Sequence, residues 1–571
     1  MKNQKVAAVF AAIADTLAIQ GENYHRIMAY RRAAENVAAL GQPLEEVWQA
    51  GELESIPGVG KTLAAKIDEL MRTGRLEAYE KLQAQVPVGV VEMLQIPDVG
   101  PKRAALFWKE LGVTTVEGLE QAAQEGRLRA LSGMGSKSEE KVLAGIEALK
   151  RRTGRTSLGV AWSLAHVMLN ALEEVPGVTQ ATFAGSLRRM RETVGDLDLL
   201  VAAEDPEPVM ARFRELDQMA EVLLSGPTKT SIRTHEGLQV DLRVLEARRW
   251  GTALQYFTGS QAHNIRLREL ALGQGFSLNE YGLKRKDGTE ILCATEGEVY
   301  AALGLPFIPP ELREDRGEVE ATLEGRLPDL VEIEDLKGDL QFHTTWSDGH
   351  QSLLEMARAA QAQGLEYALV TDHSYGLGVA RGLAVEDLRR QRAEIEQVNR
   401  KMEGTFRLLA GIEVEIRSDG SLDFPDDVLA ELDLVVASVH TGLRQEREQV
   451  TARMLAAIRN PHVDVIAHPT GRLIGEREGA DVDMEVVFRA AAEAGTALEV
   501  NAHPSRLDLR DVHVRRAIEL GVKLAISSDT HDVNGFSVLR FGVATARRGW
   551  ATAADVINTW PLENLLTWAA R

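Results

Sequence analysis

The sequence predicts a multidomain chain that is α-helical at its N-terminus, α/β in its middle and a parallel (β/α)7 barrel at its C-terminus. Three observations carry that prediction. The chain has 571 residues, and at ~100 to 200 residues per domain this implies about three to five domains. Residues 305–334 hold Pro306, Pro309, Pro310 and Pro328 with nine acids against three bases, the composition of a linker. Beyond them, seven short apolar runs alternate with helical periodicity, the pattern of repeated βα units around a parallel sheet.

Composition removes several classes. Hydrophobic residues at 44% and charged residues at 26% are ordinary globular values and exclude wholesale disorder. A single cysteine, Cys293, excludes an internal disulfide and a Cys-based zinc site, so any metal would be held by histidines and carboxylates. No N-terminal apolar h-region and no run approaching ~18 apolar residues is present, so a cytoplasmic protein with no membrane partner is expected. The net charge of −20 opposes nucleic-acid binding taken whole, because phosphate contact wants Lys and Arg. Residues 1–304, however, are nearly balanced at 36 basic against 40 acidic, while residues 335–571 carry 26 against 36.

In chain order, the first signal is a repeated glycine hairpin. Ile56-Pro57-Gly58-Val59-Gly60-Lys61 joins two helical stretches; glycine allows close backbone approach and the following helix offers free N–H groups to an anion. Such a turn grips a DNA phosphate without reading bases. Ile96-Pro97-Asp98-Val99-Gly100, followed by Pro101, Lys102 and Arg103, repeats it with Asp98 in place of the first glycine, and Gly133-Met134-Gly135 with Lys137 is a looser third copy.

The middle of the chain carries Gly185-Ser186, Arg188-Arg189 and then Gly195-Asp196-Leu197-Asp198. On a strand Asp196 and Asp198 share one face about 6.6 Å apart, and the alternating stretch 238–244 adds Asp241. Three carboxylates on adjacent strands fit two Mg²⁺ or Mn²⁺ ions that bind a triphosphate and activate a 3′ hydroxyl. Gly185 and Ser186 would hold the outer phosphates and Arg189 would neutralise developing charge.

With Tyr256-Phe257-Thr258-Gly259-Ser260, Asn264, Arg268 and Asn279-Glu280-Tyr281-Gly282, the first ~310 residues resemble the family X DNA polymerases, the group of DNA polymerase beta. The resemblance implies that Asp196, Asp198 and Asp241 hold the catalytic metals. It also implies that Tyr256, Phe257 and Gly259 bound the nucleotide sugar, and that Asn264 and Arg268 touch the minor-groove side of the new pair and template. The same family can remove a 5′-deoxyribose phosphate through a lysine Schiff base. Lys66 matches that lysine and His25 and Tyr30 match pocket residues, whereas Ala78 stands where a further lysine is expected.

After residue 335 the apolar runs end in Gln341, His343, His373, Glu413, His440, His468 and Asp529, with Asp348 and His531 close behind. Functional side chains of α/β barrels collect at the C-terminal ends of strands, and imidazoles with a few carboxylates suit Zn²⁺ or Mn²⁺ and the activation of water for phosphoester hydrolysis. The set resembles the PHP (polymerase and histidinol phosphatase) domain. The resemblance groups Gln341, His343, Glu413 and Asp529 in one site, Glu413, His440 and His468 in a second, and Asp348, His373 and His531 in a third. Gln341 replaces the usual first histidine; it is either a harder oxygen ligand or a neighbour that only hydrogen-bonds.

The domain boundaries expected are 1–83 for a DNA-end-binding domain with a helix-hairpin-helix, 84–155 for fingers with a second, 156–246 for a nucleotidyltransferase palm, 247–310 for an α+β thumb, 311–334 for a linker and 335–571 for the PHP domain. The expected partners are gapped or nicked DNA with a 5′-phosphate and dNTPs, and the expected state is a monomer. The activity expected is gap-filling DNA synthesis in repair with a 3′–5′ exonuclease, extending to abasic-site endonuclease or 3′-phosphatase action. The competing readings are a DNA-end scaffold with a degenerate PHP domain and a small-molecule phosphatase with DNA-binding modules.

Overall fold

The computed structural model describes residues 3–38, 44–56, 58–83, 85–96, 99–153, 155–402 and 404–570. They form two compact units, Met1–Gly154 and Arg155–Arg571.

The first unit is helical, with two apolar cores. One gathers Phe10, Ile13 and Leu17 of α1 (Asn3–Gln20), Tyr30 of α2 (Tyr24–Ala38), and Ile67 and Leu70 of α3 (Lys61–Thr73). The other gathers Val90, Phe107 of α4 (Pro101–Leu111), Leu119, and Ile146 of α5 (Ser136–Thr153). Helix α3 buries Leu63, Ala64, Ile67 and Leu70, the one-sided spacing of an amphipathic helix, and stops where Gly74 turns left-handed. The glycine turns repeat in detail. Gly58 and Gly133 have φ of 77° and 75°, and Gly60 and Gly100 cap α3 and α4 with identical backbone angles. The carbonyl of Gly60 accepts from Leu63 and Ala64, that of Gly100 from Arg103 and Ala104, and that of Gly135 from Ser138 and Glu139. Pro57, Pro97 and Asp98, parts of the expected hairpins, lie outside the described residues.

The second unit opens with α6 (Leu158–Glu173) packed on a five-stranded sheet of order β1-β2-β5-β4-β3. The strands are β1 (Val178–Phe183), β2 (Asp196–Ala203), β3 (Met219–Ser225), β4 (Lys229–Thr234) and β5 (Gln239–Leu245). β2 and β5 run parallel, with Asp198 directly beside Asp241. Alternation places Leu197, Leu199, Val240 and Leu242 in the core with α6 and leaves the acids on the open face. Helices α7 (Trp250–Thr258) and α8 (Gln261–Gly273) follow, then a hairpin of Phe276–Asn279 and Gly282–Arg285.

The stretch expected to be a linker is packed. Leu312, Arg313, Glu318 and Val319 are buried, Leu312 and Val319 in the core that also holds Leu267 and Tyr300. Its acids, which composition alone reads as solvated, are partners for basic groups: Glu314 for Arg189 and Arg548, Glu318 for His263, and Glu311 for Arg547.

The last part has parallel strands in two sheets. One is β6 (Gly338–Phe342), β7 (Tyr367–Val370) and β8 (Arg407–Ala410); the other is β9 (Glu413–Glu415), β10 (Val436–Ser438), β11 (Val465–Ile466), β12 (Ala497–Asn501) and β13 (Leu524–Ser527). Single bridges link the two sheets: Phe342 of β6 to Thr530 just past β13, and His373, just past the middle strand β7, to Glu413 of β9. The seven apolar runs become eight strands because one run, 407–413, breaks at Gly411-Ile412. A Cβ on Gly411 would stand 2.6 Å from Leu369, so the chain bends where a side chain has no room.

Candidate functional site

Two clusters of chemistry-bearing residues stand in the second unit. At the first, the main chain leaves β1 at Ala184, whose amide donates to the Asp198 carbonyl at 2.8 Å, and turns at Gly185 with φ of 60°. A Cβ there would lie 2.3 Å from Oδ2 of Asp198; only glycine lets the Gly185-Ser186 turn sit against that carboxylate. Gly195 sits just ahead of β2, and Asp196, Asp198 and Asp241 share the open face. Burial, then the neighbouring Asp196 and Asp241, push Asp198 up to about 7. Burial also raises Asp241, but hydrogen bonds from Lys229, Gln239 and Ser231 outweigh it and hold this acid below its ordinary range. The Lys229 ammonium lies 2.9 Å from Asp241. A site that draws a cation to one acid and keeps a proton on the next fits divalent metal ions.

The two arginines after the turn are engaged. Arg188 donates to Glu296 at 2.7 Å and to the Thr258 hydroxyl. Arg189 donates to Glu314 at 3.0 Å and to the Thr258 carbonyl at 2.7 Å. Arg243, which sequence reasoning missed, lies 4.4 Å over the Phe257 ring, and Phe257 packs edge-on against Tyr256. Asn264 spends its amide on the Tyr256 and Gly259 carbonyls, bracing the bend between α7 and α8, while Arg268 is exposed on α8.

The second cluster has Glu413 as its hub. Its Oε1 lies 3.4 Å from His440 and 3.1 Å from His468, and its Oε2 lies 3.4 Å from His343 and 3.3 Å from His373. His343 also approaches Asp529 at 3.2 Å, and Asp348 stands 3.5 Å from both His373 and His531. Ligand-type atoms converge in three overlapping groups: His343, Glu413 and Asp529; His373, Glu413 and His440; and His343, Asp348, His373 and His531. Burial opposes charge on His373 and His531, yet Glu413 with Asp348 raises the first to about 9, and Asp348 with Asp529 raises the second to about 9. The surrounding carboxylates therefore favour positive charge at this cluster. Gln341 lies on β6, two residues before His343, and its side-chain oxygen and nitrogen are buried with no hydrogen-bond partner among the described residues, as are Nδ1 of His343 and Oε2 of Glu413. Orphaned donors and acceptors in a shell of imidazoles and carboxylates fit Zn²⁺ or Mn²⁺.

The surroundings are built for orientation. Glu415 accepts from Nδ1 of His440 at 2.9 Å, fixing the ring as outer partners of metal-binding histidines do. Asn501 donates to Asp529, and Arg506 lies 3.4 Å from it. His468 and Asp529 have φ of 26° and 54°, a left-handed backbone that costs about 1 to 3 kcal/mol and persists where the surroundings impose it. The alternation Glu413-Val414-Glu415 could have revealed Glu415; nothing local in the sequence marks Arg506. The cluster opens into a cavity of about 340 Å³.

In the first unit the structure joins Lys66 to Tyr30: the ammonium hydrogen-bonds the phenol and lies 5.1 Å from the ring centre. His25 is exposed on α2 beside Tyr24. Lys102 is exposed on the first turn of α4.

Fold and clusters together define a class, an α/β sheet bearing paired acids followed by a part with parallel strands and a histidine-rich cluster of metal-ligand type. Family models agree: a helix-hairpin-helix domain matches residues 1–76, a SAM-like helix-hairpin-helix tandem residues 90–148, and the DNA polymerase beta thumb residues 253–314. Rat DNA polymerase lambda is 25% identical over 342 residues, 55% of this chain and 56% of its own. A probable phosphatase of Thermoanaerobacter sp. is 33% identical over 235 residues, 38% of this chain and 90% of its own. The DNA polymerase/3′-5′ exonuclease PolX of Bacillus subtilis is 39% identical over 568 residues, 99% of both chains. The chain belongs to the PolX family.

Proposed function

We propose that this chain is a DNA-directed DNA polymerase that fills short gaps during repair and hydrolyses 3′ ends at its histidine cluster. The observation that carries the reading is that one chain, matched over its whole length by a polymerase/exonuclease, holds both the paired acids of β2 and β5 and the Glu413 hub. Asp196, Asp198 and Asp241 would hold Mg²⁺ or Mn²⁺, which when bound neutralises the triphosphate and lowers the pKa of the attacking 3′ hydroxyl. The chain supplies the rest. Gly185 and Ser186 receive the outer phosphates, Arg189 directs a guanidinium at the charge that develops on the leaving group, and Tyr256, Phe257 and Gly259 form the wall against the sugar. Asn264 holds that wall in shape, and Arg268 reaches the template.

At the second cluster the imidazoles with Glu413, Asp348 and Asp529 would hold Mn²⁺ or Zn²⁺, which when bound supplies a water acidic enough to attack a phosphodiester. Arg506, beside Asp529, is placed to receive the scissile phosphate. We read the eight parallel strands, linked by the two bridges between their sheets, as one barrel with this cluster at its C-terminal rim. Gly58, Gly60, Gly100, Gly133 and Gly135 with Lys102 would grip DNA backbone next to a 5′-phosphate. Lys66, with Tyr30 and His25, would offer a lyase amine. The intact hub argues against an inert scaffold.

A labelled one-nucleotide gap, with and without dNTPs, in Mg²⁺, Mn²⁺ and Zn²⁺ tests both halves. Extension by one nucleotide with dNTPs and 3′ shortening without them are expected; neither reaction in any metal would overturn the reading.

A further inference from the structure

The loop that carries Arg189 is held by the histidine-rich domain. Arg548 ends α9 (Leu539–Arg548) of that domain and is 4% exposed. Its Nη1 donates to the Arg189 carbonyl at 2.6 Å and to Glu314 at 3.1 Å, and its Nη2 donates to Asp511 at 2.8 Å. Glu314 in turn accepts from the Arg189 side chain at 3.0 Å and lies 3.5 Å from Arg191. Main chain and side chain of Arg189 are thus fixed by one buried guanidinium, directly and through one carboxylate. Met190, next in the chain, has φ of 54°, a conformation that needs such support.

We propose that Arg548 is a positioning residue for nucleotide incorporation, acting through Glu314 to aim Arg189 at the triphosphate. The inference rests on the assignment of Arg189 as a phosphate-binding group. Planar, forked guanidinium contacts to a carbonyl and two carboxylates define direction as well as charge. Without Arg548, Glu314 keeps Arg189 and Arg191 as its cations and can draw Arg189 away from substrate. The polymerase half would then depend on the nuclease half for its affinity for nucleotide, independently of nuclease chemistry.

The test uses full-length protein on a one-nucleotide gap, with dNTP titrated, and 3′ hydrolysis measured on the same preparations. Arg548→Met is expected to raise the KM for dNTP at least tenfold with a smaller change in kcat, and to leave 3′ hydrolysis within twofold. Glu314→Gln, which keeps shape and removes the charge, should also raise KM, and Arg548→Lys should recover part of the loss. In an Arg189→Ala background the Arg548→Met effect should vanish. If Arg189→Ala raises KM but Arg548→Met and Glu314→Gln do not, or if the double variant multiplies the two losses, the positioning role is wrong. If Arg548→Met lowers both activities equally, the residue only stabilises the fold and the inference also fails. An unchanged KM in Arg189→Ala would instead remove the assignment of Arg189 itself.

Discussion

Asp198 is the residue at which catalysis and stability oppose each other. In the fold it keeps its proton up to about pH 7, against an ordinary 3.8, so between those values the folded chain binds more protons than the unfolded one. Stability must then fall as pH rises through that window, and the loss is complete above about 7 in metal-free protein. Removing the charge should reverse this. Asp198→Asn is expected to stabilise metal-free protein at pH 8 by on the order of 2 to 4 kcal/mol, with a gap to wild type that narrows toward pH 4, while abolishing nucleotide incorporation and sparing 3′ hydrolysis. Thermal melts in chelator at several pH values check the first part; a variant no more stable than wild type at pH 8 would mean that neither burial nor the neighbouring acids disfavours the Asp198 charge. Gln341 poses the complementary question at the other cluster. Its orphaned buried oxygen is a harder donor than an imidazole nitrogen, which favours Mn²⁺ over Zn²⁺. Gln341→His should lower the metal concentration needed for 3′ hydrolysis and raise the Zn²⁺-supported rate relative to Mn²⁺. Superimposable titrations of the two proteins would leave Gln341 outside the ligand set.

Individual elements carry the glycine turns, and there the backbone itself is the functional group. Gly58 has φ of 77°, and a Cβ would stand 3.3 Å from that of Arg32. Gly58→Val should therefore strain the turn ahead of α3, costing on the order of 1 to 3 kcal/mol, and weaken binding to gapped DNA. Because a phosphate contact is lost, the salt dependence of binding should become shallower by about one unit; an unchanged slope would place the turn away from DNA. These turns were legible in the sequence because a glycine pair followed by a helix is a local pattern. So were the strand ends of the second cluster, since almost every apolar run stops at a ligand-type residue. Lys229, Arg243 and Arg506 were not legible as partners, because each acts on a residue brought near only by sheet pairing or loop packing. The buried acids Glu311, Glu314 and Glu318 misled for the same reason: their cations, Arg189, His263, Arg547 and Arg548, lie 55 or more residues away in sequence, so composition alone read an ionic interface as a linker.

For the whole second unit, the surroundings of the two clusters touch at two points. Arg548 reaches from the histidine-rich domain to the loop of Arg189, and at another point α6 of the palm presses on the loop that bears Arg506. Gly159, in the first turn of α6, leaves no room for a side chain: a Cβ would lie 2.8 Å from the Pro504 ring. Trp162 continues that contact edge-on against Phe541, and Phe541 and Leu507 belong to the same core as Leu158 and Ala161. Pro504 is two residues from Arg506, whose guanidinium lies 3.4 Å from Asp529. Forcing α6 and the 503–507 loop apart should therefore displace Arg506 before it disturbs the acids of β2 and β5, which sit on the other side of the palm core. Gly159→Leu overpacks this seam, a change that typically costs about 1 to 3 kcal/mol. It is expected to slow 3′ hydrolysis on a single-stranded end at least tenfold while nucleotide incorporation falls by less than threefold, both measured on one preparation at a temperature well below its melting point. Arg506→Ala should reproduce the nuclease loss without the change in melting temperature. If Gly159→Leu lowers both rates in parallel, the seam serves stability alone and the loop does not transmit palm packing to the metal cluster.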